Sequence, residues 1–228
     1  MKFSTFFATV ALLVFTQCGT ETTESTDDMA IEPATTDTTV FRASGFSDYQ
    51  DGDLLFIADT YNDAVLLGKA THDTWNQVGM VFHKQDGSAH VLESYAKVRL
   101  TPIENFKSRS IDGKLMVKRL NVELGKSKDE LLAATKPVFM EFRGKFFDLS
   151  FNWSDDALSS AELIWKLFDR GFGVRLCEPG TFGDLDFSSP FWTEQLAKEY
   201  GTDIPLDTPV LRVEALMNSS QLFTVHEI

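Results

Sequence analysis

The feature that most limits what this chain can fold into is a break in composition near residue 41. Residues 19–40 carry Glu21, Glu24, Asp27, Asp28, Glu32 and Asp37 without one Lys or Arg, in a background of Thr and Ser with almost no large apolar side chain. Such a segment cannot bury enough surface to offset the entropy of ordering it, so it reads as a disordered acidic tether. The fold must therefore be built from residues 41–228, a length suited to one well-filled domain and short for two. The chain is 43% hydrophobic and contains 20 Phe, which points to a large aromatic core. Its net charge is −13, of which the tether takes a large share, leaving about −8 for the globular part. No basic stripe is present to neutralise phosphates, so nucleic acid is not an expected partner.

Residues 1–18 read as a secretory signal. Lys2 supplies a positive start, and the apolar run from Phe6 to Phe15 is too short to span a bilayer. Cys18 follows in Phe15-Thr16-Gln17-Cys18-Gly19. This resembles a bacterial lipoprotein signal, in which the cysteine is lipidated and becomes the first mature residue. Gln17 departs from that pattern, because a small residue normally stands there; a plain signal peptide with an incidental cysteine is the alternative. Cys177 is then a lone thiol, expected to act as a small buried hydrophobe.

Within the globular part, Asp53-Leu54-Leu55-Phe56-Ile57 is a compact apolar run after a turn signal, consistent with a buried strand. The spacing of Ala64, Val65, Leu67 and Ala70 predicts a short helix over 62–71. Strands are expected at 78–83 and 90–94, either side of the Asp86-Gly87 turn, which leaves His83 and His90 solvated beside it. Alternation over 115–120 predicts a half-exposed strand with Leu115, Val117 and Arg119 on one face. Ser127 and Glu130 form a capping box for a helix reaching Phe142, although Pro137 should end or kink it. Further helices are expected at 159–168 and 191–200, and strands at 210–213 and 222–225. Strands and helices mix without strict alternation, which favours an α+β fold over a doubly wound sheet.

A cysteine hydrolase needs a thiolate, a base within hydrogen-bond reach and a third polar group to orient the base. The first turn of a helix is a favourable place for the thiolate, since unpaired amides and the macrodipole stabilise negative charge there. Ser160 occupies such a place, yet Ser159-Ser160-Ala161-Glu162 is also a capping box that any helix could carry. The histidines lack a metal-ligand spacing such as HExxH, so no metal is expected. Gly171-Phe172-Gly173 follows a helix rather than opening one, so no phosphate loop and no cofactor are expected.

From Gly52 to about Glu227 the ordered motifs resemble the YiiX/YebB family of permuted papain-like, NlpC-type hydrolases, the YiiX branch in particular. Gly52-Asp53-Leu54-Leu55-Phe56 resembles the opening strand, and Asn76-Gln77-Val78-Gly79-Met80-Val81 the segment that normally begins with the catalytic histidine. Val91-Leu92-Glu93-Ser94 resembles the strand bearing the third polar group, and Ser160-Ala161-Glu162-Leu163-Ile164-Trp165 the nucleophile helix. Phe187-Ser188-Ser189-Pro190 and Tyr200-Gly201-Thr202-Asp203 extend the match. The resemblance implies an antiparallel sheet packed against helices. It also places Ser160 where the family has cysteine, Asn76 where it has histidine, and Glu93 at the acidic third position.

Serine without a base keeps its proton at neutral pH, and asparagine has no titratable nitrogen to take it. The resemblance thus implies an exported, catalytically degenerate hydrolase homologue, which would bind a cell-envelope peptide or acyl ligand in the former cleft and be held to the membrane through Cys18. The competing expectation is an active amide or acyl hydrolase using Ser160 and Glu93, with His72 or a water as replacement base.

Overall fold

The computed structural model describes residues 47–121 and 128–228. Residues 1–46 and 122–127, and with them the expected leader ending at Cys18, the expected tether and the expected cap at Ser127, lie outside the described residues. Eight strands are present among them: β1 (Leu54–Asp59), β2 (Gln77–His83), β3 (Ala89–Tyr95), β4 (Lys97–Pro102), β5 (Ser110–Leu120), β6 (Gly180–Thr181), β7 (Pro209–Val210) and β8 (Leu222–Glu227). Six α-helices join them: α1 (Asn62–Thr71), α2 (Ile103–Lys107), α3 (Lys128–Phe142), α4 (Ser160–Leu167), α5 (Pro190–Tyr200) and α6 (Val213–Met217). Six strands form one antiparallel sheet in the order β4-β3-β2-β1-β5-β8, while β6 and β7 pair separately. The α+β architecture expected from the sequence is the one observed.

Both faces of this sheet are covered, which explains why β1 reads Leu-Leu-Phe-Ile without alternation and is buried along its whole length. Leu54, Phe56, Met80 and Leu92 face one way and pack on Phe142 of α3 and on Ala161, Leu163, Ile164 and Leu167 of α4. Leu55, Ile57, Val81, Val91, Leu115 and Val117 face the other way and pack on Ile103 and Phe106 of α2. A third cluster joins Leu67 and Ala70 of α1 to Phe147, Phe151, Phe182 and Trp192. Gly79 sits where β2, β3 and Phe106 meet. A Cβ there would strike Val91 Cγ1 and lie 2.9 Å from the Leu92 carbonyl, so only glycine fits.

Several expectations change. Helix α3 runs through Pro137. Pro137 and Ala133 are both exposed, so water can serve the Ala133 carbonyl that the missing N–H leaves free. The strand expected at 210–213 shrinks to two residues, and Val213 instead opens α6. Strand β5 begins at Ser110, and Met116 on its supposedly open face is buried. His90 is buried at 8% exposure, with Nδ1 3.2 Å from the Ser88 carbonyl oxygen; His83 Nδ1 lies 2.7 Å from Asp51 Oδ1. His90 is therefore not solvated, whereas His83 stays exposed beside Asp51.

Candidate active site

Ser159 caps α4 from an extended backbone, its Oγ accepting from the Glu162 amide at 3.2 Å. Ser160 is therefore the first helical residue, and four apolar neighbours on α4 pull the helix against the sheet. The Ser94 hydroxyl of β3 donates to the Leu158 carbonyl at 2.7 Å and ties the approach to α4 to the same sheet face. The result buries Ser160 completely, and its Oγ has no hydrogen-bond partner. Below it, Lys166 Nζ lies 2.6 Å from Glu162 Oε1, 2.5 Å from the Ser154 carbonyl oxygen and 2.9 Å from Asp155 Oδ1. Burial pushes the Glu162 carboxyl up to about 7 despite the opposing charge of Lys166. Burial likewise raises Asp148 nearby, against three backbone amides that lower it. The crevice among Asp148, Phe151, Ser159, Glu162, Val210 and Leu211 measures about 10 Å³, roughly the space of one water.

Asn76 immediately precedes β2 and is buried. Its Oδ1 accepts from the Asp59 amide at 2.6 Å, and its Nδ2 donates to the Asp59 carbonyl at 3.1 Å. Both halves of the carboxamide thus hold one residue of β1. An imidazole could not replace it, because its two nitrogens point away from one another and reach only one of these groups. Helix α1 closes over the clamp so tightly that a Cβ at Gly68 would lie 3.0 Å from Asn76 Cβ.

Glu93 belongs to β3 and is fully buried. It pairs with Gly79 across β2 and β3 and faces away from α4, on the α2 side of the sheet. There it accepts from Gln77 Nε2 at 3.2 Å, Thr101 Oγ1 at 2.5 Å and both terminal nitrogens of Arg109, at 3.2 Å from Nη1. Arg109 Nε also donates to Asp59 Oδ2 at 2.9 Å. Burial raises the Asp59 carboxyl and the Arg109 guanidinium opposes that rise. Asn76 and Glu93 are hence linked only indirectly: the first holds the Asp59 backbone, the second shares Arg109 with its carboxylate. Among the described residues no hydrogen bond joins Ser160, Asn76 and Glu93 to one another.

His72, the candidate replacement base, ends α1 in the left-handed conformation at φ 59°. Its side chain is 71% exposed and its Nε2 lies 3.2 Å from Asp186 Oδ2, so it serves a surface pair rather than the buried Ser160 hydroxyl. Sequence reasoning missed Asp59, Ser94, Thr101 and Arg109. Parity along β3 held a clue, since Ser94 shares the face of Leu92; but Val91 and Leu92 are both apolar, so the sequence did not mark which face meets α4. Among the described residues no three His, Cys, Asp or Glu side chains group as metal ligands.

An antiparallel sheet with α4 packed on one face and several further helices is consistent with the permuted papain-like fold. The family model for "Permuted papain-like amidase enzyme, YaeF/YiiX, C92 family" matches residues 48–226, and the chain belongs to that family. The uncharacterized protein YiiX of Escherichia coli (strain K12) is 30% identical over 176 residues, spanning 77% of this chain and 85% of its own length. The crystal structure of metalloprotein yiiX from Escherichia coli O157:H7 is similar with a TM-score of 0.67 and 28% identity, over 78% of this chain and 97% of that one.

Proposed function

We propose that this chain is an exported family member that binds a cell-envelope peptide or acyl ligand and no longer hydrolyses it. One observation carries the reading: Ser160, at the nucleophile position by resemblance, is wholly buried and its Oγ meets no base. A serine hydroxyl attacks only when a neighbouring group takes its proton. Asn76 has no nitrogen that can do so, and both halves of its amide are bound to Asp59. The rival reading, an active hydrolase through Ser160, Glu93 and His72, needs three groups that this geometry holds on opposite sheet faces and at the surface. Although the solved YiiX is called a metalloprotein, no ligand cluster exists among the described residues, so no step in the proposal runs through a metal.

Labelling with a serine-reactive fluorophosphonate tests the proposal. No adduct is expected; stoichiometric labelling that disappears in Ser160→Ala would overturn it. Export and lipid attachment at Cys18 belong to the same proposal and rest on the apolar run before that cysteine; no described helix is long and apolar enough to cross a membrane. The intact mass of protein recovered from bacterial membranes should show a chain that starts at Cys18 and carries added lipid. An unmodified mature chain would remove the anchor from the proposal.

A further inference from the structure

We infer that the free edge of β4 is a docking site for a short, extended, acidic peptide, which adds to the sheet as a seventh strand. Strand β4 ends the sheet, and its register with β3 has no break from Lys97 to Pro102. Val98 turns its backbone outward, where its amide donates to the Lys145 carbonyl at 2.8 Å and its carbonyl accepts from the Gly144 amide at 2.9 Å. Two residues on, Leu100 presents its own N–H and C=O in the same outward direction. Among the described residues nothing pairs with them. Pro102, the next outward position, has no N–H and ends the run. One donor and one acceptor therefore stand open in line with an edge already in use.

Two recesses adjoin this opening, and they share Arg99 and Leu100. The larger, about 890 Å³, includes Lys84, Phe139, Arg143 and Phe146; the smaller, about 300 Å³, includes Thr101, Asn105 and Arg109. Successive side chains of an added strand point to opposite faces, so a peptide beside Leu100 would present one set of side chains on the Val98 and Leu100 side and the other on the Lys97 and Arg99 side. Leu100 and Phe146 are 38% and 62% exposed and give apolar side chains a surface to cover.

Charge selects the peptide. The larger recess gathers Lys84, Lys97, Arg99 and Arg143, of which Arg99 already lies 3.5 Å from Glu93 Oε1, and its own lining carries a single carboxylate, Asp63, on a chain whose net charge is −13. Lys84 and Arg143 make no ion pair among the described residues, and Lys97 lies over the Phe146 ring at 4.4 Å. A cationic patch on an acidic protein draws anionic partners and repels basic ones. This surface lies away from the crevice beside Ser160, so it stands or falls independently of the chemistry at that residue.

Fluorescence anisotropy with the full chain tests the inference, using a fluorescein-labelled hexapeptide that alternates glutamate and valine. Saturable binding is expected, and it should weaken at least tenfold when the central amides are N-methylated. A similar loss should follow in Lys84→Glu/Arg143→Glu. Leu100→Pro removes the N–H at an edge position where proline is tolerated, and should weaken binding in a protein whose circular dichroism is unchanged. No saturable binding, equal binding of a basic peptide with lysine in place of each glutamate, or affinity indifferent to N-methylation would each overturn the inference.

Discussion

At position 76 the carboxamide forms a two-point bond to the Asp59 backbone, and at position 160 a hydroxyl is buried with no partner. These two facts give opposite mutational outcomes. Asn76→His breaks at least one of the two bonds and leaves a buried backbone group unpaired, so urea denaturation should show a loss of about 1–3 kcal/mol. Ser160→Ala removes a hydroxyl that gains nothing from its surroundings, and the same measurement should show a gain of up to about 1 kcal/mol. A destabilised Ser160→Ala protein would mean that the hydroxyl has a partner. Position 160 was legible in the sequence as the head of a helix, because Ser159 and the apolar spacing of Leu163, Ile164 and Leu167 are local signals. The role of Asn76 was not, since its partner lies seventeen residues away.

Within elements, the clearest stakes are buried charges. Arg109 follows α2 and holds Asp59 of β1 and Glu93 of β3, both fully buried. Arg109→Met strands two carboxylates and should cost about 3–5 kcal/mol in urea denaturation, partly recovered by adding Glu93→Gln. On α4, the Glu162 carboxyl is raised by burial from its ordinary 4.5 to about 7. Its protonated form therefore favours the native state: this contribution is fully present below about pH 4.5 and is lost as pH rises through about 7. Wild type should lose up to ~3 kcal/mol relative to Glu162→Gln between pH 4.5 and 7.5. A pH-independent difference between the two would show that Lys166 keeps Glu162 charged throughout. The elements that carried these residues were read unevenly. Helix α1 and strands β2 and β3 emerged from periodicity and a turn signal. Strand β4 did not, because Lys97-Val98-Arg99-Leu100 is charged on its outer positions as an edge strand must be. Val213 misled through its β-branched side chain, since tertiary packing of α6 overrides that preference.

Among the described residues the domain is a sheet enclosed between helices, and that enclosure governs both what the sequence disclosed and what the site can do. The near-continuous apolar runs announced a buried sheet but concealed which residues share a face, so the placement of Glu93 on the α2 side was not legible. Enclosure also makes the sheet intolerant of bulk at its middle. Gly79→Ala should lower the urea midpoint by the equivalent of about 1–3 kcal/mol or more, because the added methyl meets backbone and a core valine. A midpoint unchanged from wild type would show that β2 and β3 can part. The bond between Asn76 and Asp59 has one more consequence on the proposed reading. If histidine once stood at 76, the amide that replaced it has since become a joint between two strands and, through Asp59 and Arg109, a support for Glu93. Restoring histidine at 76 would weaken the fold while Ser160 still lacked a thiol, so a lineage carrying this chain would pay for the first reversion before the second gave it any chemistry. The loss works as a ratchet, set by architecture rather than by the reaction that was given up.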